Sequence, residues 1–165
     1  MAASEIVSTE ITRDIEKYLK GRQGGKLHAH NLHLTLLGLP QLDTAKLLLR
    51  VEQGFSFSIL VRFQRNVALP MKEIAEWVRI TQTTLNRRRE AGRLRPDESD
   101  RVLRASRIFG KALELFEGDM DAARRWLGNP HPALGGAVPI SVAKTDLGAR
   151  EVENLIGRLE HGVFT

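Results

Sequence analysis

Cysteine is absent from this 165-residue chain, which excludes a disulfide framework and any zinc site built on thiolates. Long apolar runs are missing as well: no stretch approaches the roughly 20 residues that span a bilayer. Residues 1–20 carry acids where a secretory signal needs basic residues, so we expect a cytoplasmic protein. The 42% of apolar residues is enough for a hydrophobic core, and neither a disordered nor a fibrous chain is expected.

Residue patterns typical of catalysis or metal binding are also sparse. The histidines of HAHNLH (His28, His30 and His33) have no cysteine or patterned carboxylate to complete a zinc site, so they are interpreted as surface or core-edge residues. Glu151 and Glu153 do not face each other on their predicted helix, and we interpret them as part of a solvated face. No enzymatic activity, metal or cofactor is therefore expected.

Basic residues are unevenly distributed, although the net charge is only +5. Residues 79–111 hold ten basic and four acidic residues, a net charge of +6, whereas residues 112–165 hold five basic and eight acidic residues, a net charge of −3. A polyanionic partner is therefore expected to bind the middle of the chain, and the C-terminal third is expected to bind something else.

Helical spacing of apolar residues predicts an all-α fold in three parts. Residues 1–41 form an N-terminal arm, in which residues 1 to about 26 are a candidate dimerisation helix or a frayed end. Residues 26–40 fit a short strand or a loop equally well. A helix-turn-helix domain covers residues 42–110, and a second, small helical domain covers residues 111–165.

Two helices are predicted at the start of the middle part. The first is capped by Asp43 and runs to about residue 53, with a buried face of Leu47, Leu48 and Val51. The segment after Ser56 alternates like a strand but also steps at helical spacing. We favour a helix there, because a helix-turn-helix domain usually packs a first helix against the two helices of its motif.

Helix starts and stops can also be assigned further along the chain. Asp97 is predicted to cap a long helix whose apolar stripe ends near Phe116, and Asp119 to cap a short helix that ends at Gly128. Residues 129–136 break regular structure. A final helix is predicted to begin near Thr145 or Asp146, with a buried face of Gly148, Val152, Leu155, Ile156 and Leu159.

The stretch from Ile74 to Leu94 combines two short helical patterns, a tight turn and a burst of arginine. The buried face of its first helix consists of Ile74, Ala75 and Val78. Ile80 supplies the apolar residue usual in the turn, Thr81 suits an N-cap, and Leu85 directs the second helix to the core. This arrangement predicts a helix-turn-helix that docks on DNA.

Polar side chains at the start of the second helix are expected in the major groove, and longer cations one turn later. We expect Gln82, Thr83 and Thr84 to set the sequence preference, and Arg87 and Arg88 to neutralise phosphates. The complete predicted DNA-binding set is Thr81, Gln82, Thr83, Thr84, Asn86, Arg87 and Arg88. The alternative is an ordinary surface helix whose arginines are solvated.

The C-terminal third, WLGNPHPALGGAVPISVAKTDLGAREVENLIGRLEHGVF, resembles the Xre/MbcA/ParS-like toxin-binding domain of antitoxins from bacterial type II toxin–antitoxin systems. The upstream TLNRRREAGRL resembles the Xre-type helix-turn-helix that precedes this domain. Ala137 and Val138 depart from the family pattern, which has a polar residue and Thr before Pro139. The matching residues are Trp126, Leu127, Asn129, Leu134, Gly135, Gly136, Pro139, Thr145, Gly148, Ala149, Val152, Leu155, His161 and Gly162.

This resemblance implies an antitoxin that forms a homodimer, binds operator double-stranded DNA to autorepress its operon, and neutralises a RES-type toxin, an enzyme that consumes NAD or transfers ADP-ribose from it. The alternative is a stand-alone regulator whose C-terminal domain senses a small ligand. The residues expected to bind the toxin are Trp126, Leu134, Gly135, Gly136, Arg158, Glu160, His161, Gly162, Val163, Phe164 and Thr165.

The last three residues suggest how the toxin could be blocked. Val163 and Phe164 follow a helix stop, and an apolar tail of this kind fits insertion into a cleft. Packing of Phe164 back on Trp126 is the alternative. The Thr165 carboxylate is expected to pair with a toxin cation that otherwise holds the NAD phosphates.

Overall fold

A computed structural model describes residues 32–39 and 42–162, and the regular secondary structure within these ranges is helical apart from one bridge between Ser56 and Arg93. This agrees with the predicted all-α class. The helices are α1 (Leu32–Leu36), α2 (Thr44–Gln53), α3 (Phe57–Val67), α4 (Met71–Trp77), α5 (Gln82–Ala91), α6 (Pro96–Leu115), α7 (Met120–Gly128), a 3₁₀ turn (Pro132–Leu134), α8 (Pro139–Val142) and α9 (Asp146–Glu160).

Helix α6 is the central element of the fold. Its 20 residues correspond to a rod about 30 Å long, and helices α1, α2, α3, α7 and α9 all pack against it. The apolar stripe predicted for it is confirmed, since Ala105, Ile108, Phe109 and Ala112 are buried. The expected domain boundary after residue 110 lies inside this helix, so α6 serves both parts of the molecule.

The start of α6 differs from the prediction. The helix begins at Pro96, and its N-cap residue is Arg95, two residues before the expected cap at Asp97. Pro suits the first helical position because its missing N–H would be unpaired there anyway. Glu98, at the third helical position, then accepts a hydrogen bond from the backbone amide of the N-cap residue Arg95 at 2.8 Å, as the third residue of a capping box does.

The predicted starts of four other helices are confirmed. At each one, a side-chain oxygen accepts a hydrogen bond from the backbone amide three residues later. The N···O distances are 2.8 Å for Asp43, 3.2 Å for Thr81, 2.9 Å for Asp119 and 3.0 Å for Thr145. The helix favoured after Ser56 is confirmed as α3, although the Ser56 side chain makes no capping bond.

Helix α2 is less buried than its sequence suggests. Leu47 and Val51 pack partly against the core, but Leu48 is 59% exposed and the neighbouring Leu49 is 52% exposed. The prediction that Leu48 faces the core was therefore wrong. Successive residues of a helix lie about 100° apart, and α2 meets its neighbours along a stripe too narrow to include Leu48.

Residues 26–40 were expected to form a short strand or a loop, and both alternatives are wrong for residues 32–36, which form the helix α1. In α1, Leu32, Leu34 and Leu36 are buried, and the following Leu37 is buried as well. The carbonyl of Leu36 accepts a hydrogen bond from the Asn66 side chain of α3 at 2.8 Å. The predicted helix over residues 1–26, together with His28 and His30, lies outside the described residues.

The helix-turn-helix part and the C-terminal part share one hydrophobic core, in which Phe63, Phe109 and Val152 belong to the same cluster of buried side chains. A polar contact also joins them. Arg124 of α7 donates a hydrogen bond to the carbonyl of Val67 at the end of α3, with an N···O distance of 3.0 Å. The C-terminal part is thus packed directly on the helix-turn-helix part.

Candidate functional site

Helices α4 and α5 form the predicted helix-turn-helix. Ile74, Ala75 and Val78 are buried, as is Leu85 of the second helix. Ile80 is 5% exposed, and its backbone amide donates to the Ala75 carbonyl at 2.8 Å, which closes the turn between the helices. The apolar positions of this motif are therefore confirmed.

The outward face of α5 carries most of the residues predicted to contact DNA. Thr81, Gln82, Thr83, Asn86 and Arg87 are exposed, and Thr84 is half-buried. Gln82 donates to the Asn86 side chain at 3.0 Å, and Arg87 to the Thr84 hydroxyl at 3.4 Å. Because these pairs are three or four residues apart, they form one continuous polar surface on the helix.

Arg88 does not lie on this surface. Its Nε donates to both carboxylate oxygens of Glu98, at 2.7 and 3.1 Å, and the Arg88 and Glu98 side chains are only 15% and 5% exposed. The expectation that Arg88 points outward to neutralise a phosphate therefore disagrees with its place in the structure. It follows Leu85 by three residues, and so it lies on the inward face of α5.

The charge of Glu98 is stabilised by its two donors. Burial raises the pKa of Glu98, but hydrogen bonds from the Arg88 guanidinium and the Arg95 amide outweigh burial and hold the pKa below its ordinary value. The carboxylate is therefore charged at neutral pH. It joins the second helix of the motif to α6.

A second contact from α6 holds the first helix of the motif. Arg101 donates from Nε to the carbonyl of Val78, just after the end of α4, with an N···O distance of 2.6 Å. Elsewhere, the Arg89 guanidinium lies 5.5 Å from the centre of the Phe57 ring and links α5 to α3 by a cation–π contact. Both helices of the motif are thus fixed to the rest of the fold by polar contacts.

One group of the predicted toxin-binding residues surrounds the connection between α7 and α8. The Trp126 ring lies 5.7 Å from the His131 ring. Gly135 and Gly136 are exposed and have φ values of 64° and 82°, a backbone conformation that favours glycine. The Gly136 amide donates to the His131 carbonyl at 3.0 Å, so the connection folds back on itself. Leu134, the remaining member of this group, is half-buried.

The other group lies at the end of α9. Arg158, Glu160, His161 and Gly162 are all exposed there. Gly162 has a φ of 67° and follows the last turn of the helix. Val163, Phe164 and Thr165 lie outside the described residues, and the two alternatives for Phe164 stay predictions.

Helix α9 is fixed to α6 by an ionic cluster that the sequence did not predict. Glu153 accepts from Lys111 at 2.7 Å and from Arg107 at 3.1 Å. Its side chain is only 16% exposed, so the interpretation of Glu153 as a solvated residue was wrong. Burial raises the pKa of Glu153, but these two cations outweigh burial and lower it.

Leu147 is an exposed residue that the sequence reasoning did not single out. It lies in the first turn of α9 and is 72% exposed. The next residue, Gly148, faces inward so closely that a Cβ there would overlap the carbonyl oxygen of Val142. A signal was present in the sequence, because Leu147 falls outside the apolar spacing set by Gly148, Val152 and Leu155.

Two negative findings concern the described ranges 32–39 and 42–162. No group of three or more His, Asp or Glu side chains in them could hold a metal ion. No helix in them is long and apolar enough to cross a membrane.

Family models match both parts of the chain. Residues 46–107 match the antitoxin Xre-like helix-turn-helix domain, and residues 111–162 match the antitoxin Xre/MbcA/ParS C-terminal toxin-binding domain. Together the two models cover most of the described residues and include α6 on both sides of their junction.

Several curated proteins are similar to the chain. An antitoxin Xre from Yersinia enterocolitica is 38% identical over 130 residues, which are 78% of this chain and 88% of that protein. An antitoxin Xre from Photorhabdus laumondii is 43% identical over 74 residues, 45% of this chain and 50% of that protein. A Prs ADP-ribosylating antitoxin from Sphingobium sp. is 26% identical over 123 residues, 69% of this chain and 77% of that protein. With both domains matched, the chain belongs to the Xre antitoxin family, and a helix-turn-helix domain precedes its toxin-binding domain.

Proposed function

We propose that this chain neutralises a RES-type toxin and binds operator DNA to repress its own operon. The observation that carries the DNA half of the proposal is the outward face of α5, where polar side chains project from a helix that α6 holds on its inner side. The same α6 packs against α7 and α9 of the toxin-binding domain. In this proposal α6 therefore connects both binding activities.

On the DNA side, Gln82 and Thr83 are placed at the N-terminal end of α5, the part of a recognition helix that reaches base edges. Asn86 lies one turn later and completes the base-reading surface. Arg87 neutralises a phosphate, and Arg88 leaves the proposed contact set because Glu98 holds it inward. A homodimer would place two such helices in successive major grooves, roughly 34 Å apart.

On the toxin side, the partner is an enzyme that consumes NAD or transfers ADP-ribose. The match of residues 111–162 to a toxin-binding domain supports a protein partner, and the Sphingobium relative named as a Prs ADP-ribosylating antitoxin supports this chemistry. The segment after α9 covers the toxin's active site.

The DNA half is tested by fluorescence anisotropy with duplexes from the region upstream of the chain's own gene. Gln82→Ala should weaken binding to the preferred duplex about tenfold and leave binding to an unrelated duplex unchanged. A matched control is Glu90→Ala, which changes an exposed residue nearer the C-terminal end of α5. Equal affinity of the wild type for all duplexes would contradict sequence-specific repression.

The toxin half is tested by co-expression with the RES-type protein encoded beside the chain. Deletion of residues 163–165 should restore NAD loss in cells while operator binding by the purified truncated chain persists. Full neutralisation by the truncated chain would contradict the role of the tail. Failure of the full chain to prevent NAD loss would contradict the choice of toxin.

We also expect the two activities to be coupled through α6. Operator affinity measured across a titration with the toxin should change, because both partners act on helices that contact α6. A constant affinity would show that the two halves bind independently.

A further inference from the structure

Large apolar side chains are exposed at two places in the described part of the chain. Leu48 and Leu49 lie on α2, inside the helix-turn-helix match, and Leu147 lies on α9, inside the toxin-binding match. Leu147 is the more exposed, at 72%. A single exposed leucine is common on protein surfaces, so its neighbours decide whether it has a role.

The neighbours of Leu147 along α9 form a continuous exposed ridge. Glu151, Asn154 and Arg158 follow it at four, seven and eleven residues, which places all four side chains on one side of the helix, and all of them are exposed. The rise of an α-helix makes the ridge about 16 Å long. We call this surface, made of Leu147, Glu151, Asn154 and Arg158, the α9 ridge.

Other residues hold α9 in place, and Leu147 is mostly exposed. Thr145 caps the helix, and Asp146 pairs with Arg104 of α6 at 3.5 Å. The opposite side of the helix packs through buried residues such as Val152 and Ile156. An acidic residue in the first turn of a helix would in fact suit the helix dipole better than a leucine.

We propose that the α9 ridge is a docking surface for the toxin, with Leu147 as its apolar contact. The inference rests on the proposed function, and it extends the toxin contact from the end of α9 back to the helix start. Arg158, the last residue of the ridge, was already expected to bind the toxin. The ridge also lies wholly within the residues that match a toxin-binding domain.

The size of protein interfaces supports this extension. A standard interface uses roughly 20–30 residues on each side, and the residues predicted from the sequence fall well short of that number. The α9 ridge adds an adjacent exposed surface with an apolar end, a neutral centre at Asn154 and both signs of charge. Apolar contacts with a polar rim are typical of such interfaces.

The test measures the affinity of the full chain for an immobilised, catalytically silenced RES-type toxin from the adjacent reading frame. Leu147→Glu should weaken toxin binding about tenfold or more, because it places a charge in an apolar contact. Asn154→Arg should weaken it as well, since it adds bulk and charge at the centre of the ridge. Thermal unfolding should not fall below the wild-type temperature for either variant, and operator binding should stay at the wild-type level.

Leu48→Glu is the matched control, since it makes the same chemical change at a leucine that is 59% exposed in the other domain. It should change toxin affinity by less than about twofold. If the wild type binds the toxin and Leu147→Glu binds equally well, the ridge proposal is overturned and the proposed function stands. An equal loss of toxin affinity in Leu48→Glu also overturns the ridge proposal. If the wild type fails to bind this toxin, both the ridge proposal and the proposed function are overturned.

Discussion

Helix α6 holds α5, the second helix of the helix-turn-helix, through an ion pair with little exposure to water, whereas the cations through which it holds α9 are partly exposed. Arg88 and Glu98 are 15% and 5% exposed. At the other end, Arg107 and Lys111 are 45% and 34% exposed around Glu153. Water screens the second cluster much more than the first, so equal charges should contribute unequally to stability.

This difference suits the two binding activities that we propose for the chain. A recognition helix must present its side chains to the grooves of DNA in a fixed orientation, and a buried, hydrogen-bonded pair such as Arg88–Glu98 restricts that orientation. The toxin-binding end is fixed instead by tight backbone packing, as at Gly148 against the Val142 carbonyl. Its polar contacts can therefore remain near the surface.

The largest effect on stability is expected at the Arg88–Glu98 pair. Glu98→Ala should lower the free energy of unfolding by about 3–5 kcal/mol, because it leaves the Arg88 charge without its partner in a poorly hydrated place. Urea denaturation measures this loss. The double variant Arg88→Met with Glu98→Leu is the control and should recover most of the stability. A loss below about 1 kcal/mol for Glu98→Ala would show that Arg88 finds water.

Packing at the toxin-binding end should give the next largest effect. Gly148→Ala should destabilise the chain by about 1–3 kcal/mol, since its Cβ would overlap the carbonyl oxygen of Val142 and force a backbone shift. Gly157→Ala is the control on the same helix, and it should stabilise the chain by about 0.5–1 kcal/mol because its Cβ would meet no atom within 4 Å. Thermal unfolding of the two variants should therefore shift in opposite directions.

The cluster of Glu153, Arg107 and Lys111 should contribute less to stability. Glu153→Ala is expected to cost about 1 kcal/mol, as its cationic partners remain hydrated after the carboxylate is removed. Urea denaturation in 1 M salt should reduce this cost, whereas the cost of Glu98→Ala should change little. Equal salt dependence of the two variants would remove the distinction between the ends of α6.

Acid should weaken both ends in the same direction. The pKa values of Glu98 and Glu153 are lower in the folded chain than their ordinary values. Their stabilisation is therefore complete above the unfolded pKa of about 4.3 and is lost as pH falls through the lower folded values. Unfolding free energies measured from pH 6 to pH 3 should fall, with a shallower slope for Glu98→Gln. An unchanged slope in that variant would show that Glu98 does not titrate below its ordinary range.

Local contacts explain why much of the fold could be predicted. The caps at Asp43, Thr81, Asp119 and Thr145 each use an amide three residues away, so the sequence alone contains both partners. The inward turn of Leu85 follows from helical spacing in the same way. These features need no knowledge of which helices meet.

Contacts between distant residues explain what was missed. The partner of Arg88 is ten residues away on another helix, and the partners of Glu153 are more than 40 residues away. Composition shows that these residues are charged, but only the packing of α5 and α9 on α6 decides which charges are buried. The exposure of Leu48 has the same origin, because α2 meets the core along a narrow stripe.

The smallest effect on stability is expected at Arg87, and it separates DNA contact from structural support. Arg87 is exposed, so Arg87→Ala should change the unfolding free energy by no more than about 0.5 kcal/mol. It should nevertheless weaken binding to all duplexes and lower the slope of log affinity against log salt by about one, since one phosphate contact is lost. Arg88→Ala should show the reverse, a clear loss of stability measured by urea denaturation with a salt slope close to that of the wild type. Arg88→Ala could instead keep its stability and lower the salt slope by one. The Arg88 guanidinium would then contact a phosphate, and the Arg88–Glu98 pair would not be buried in solution.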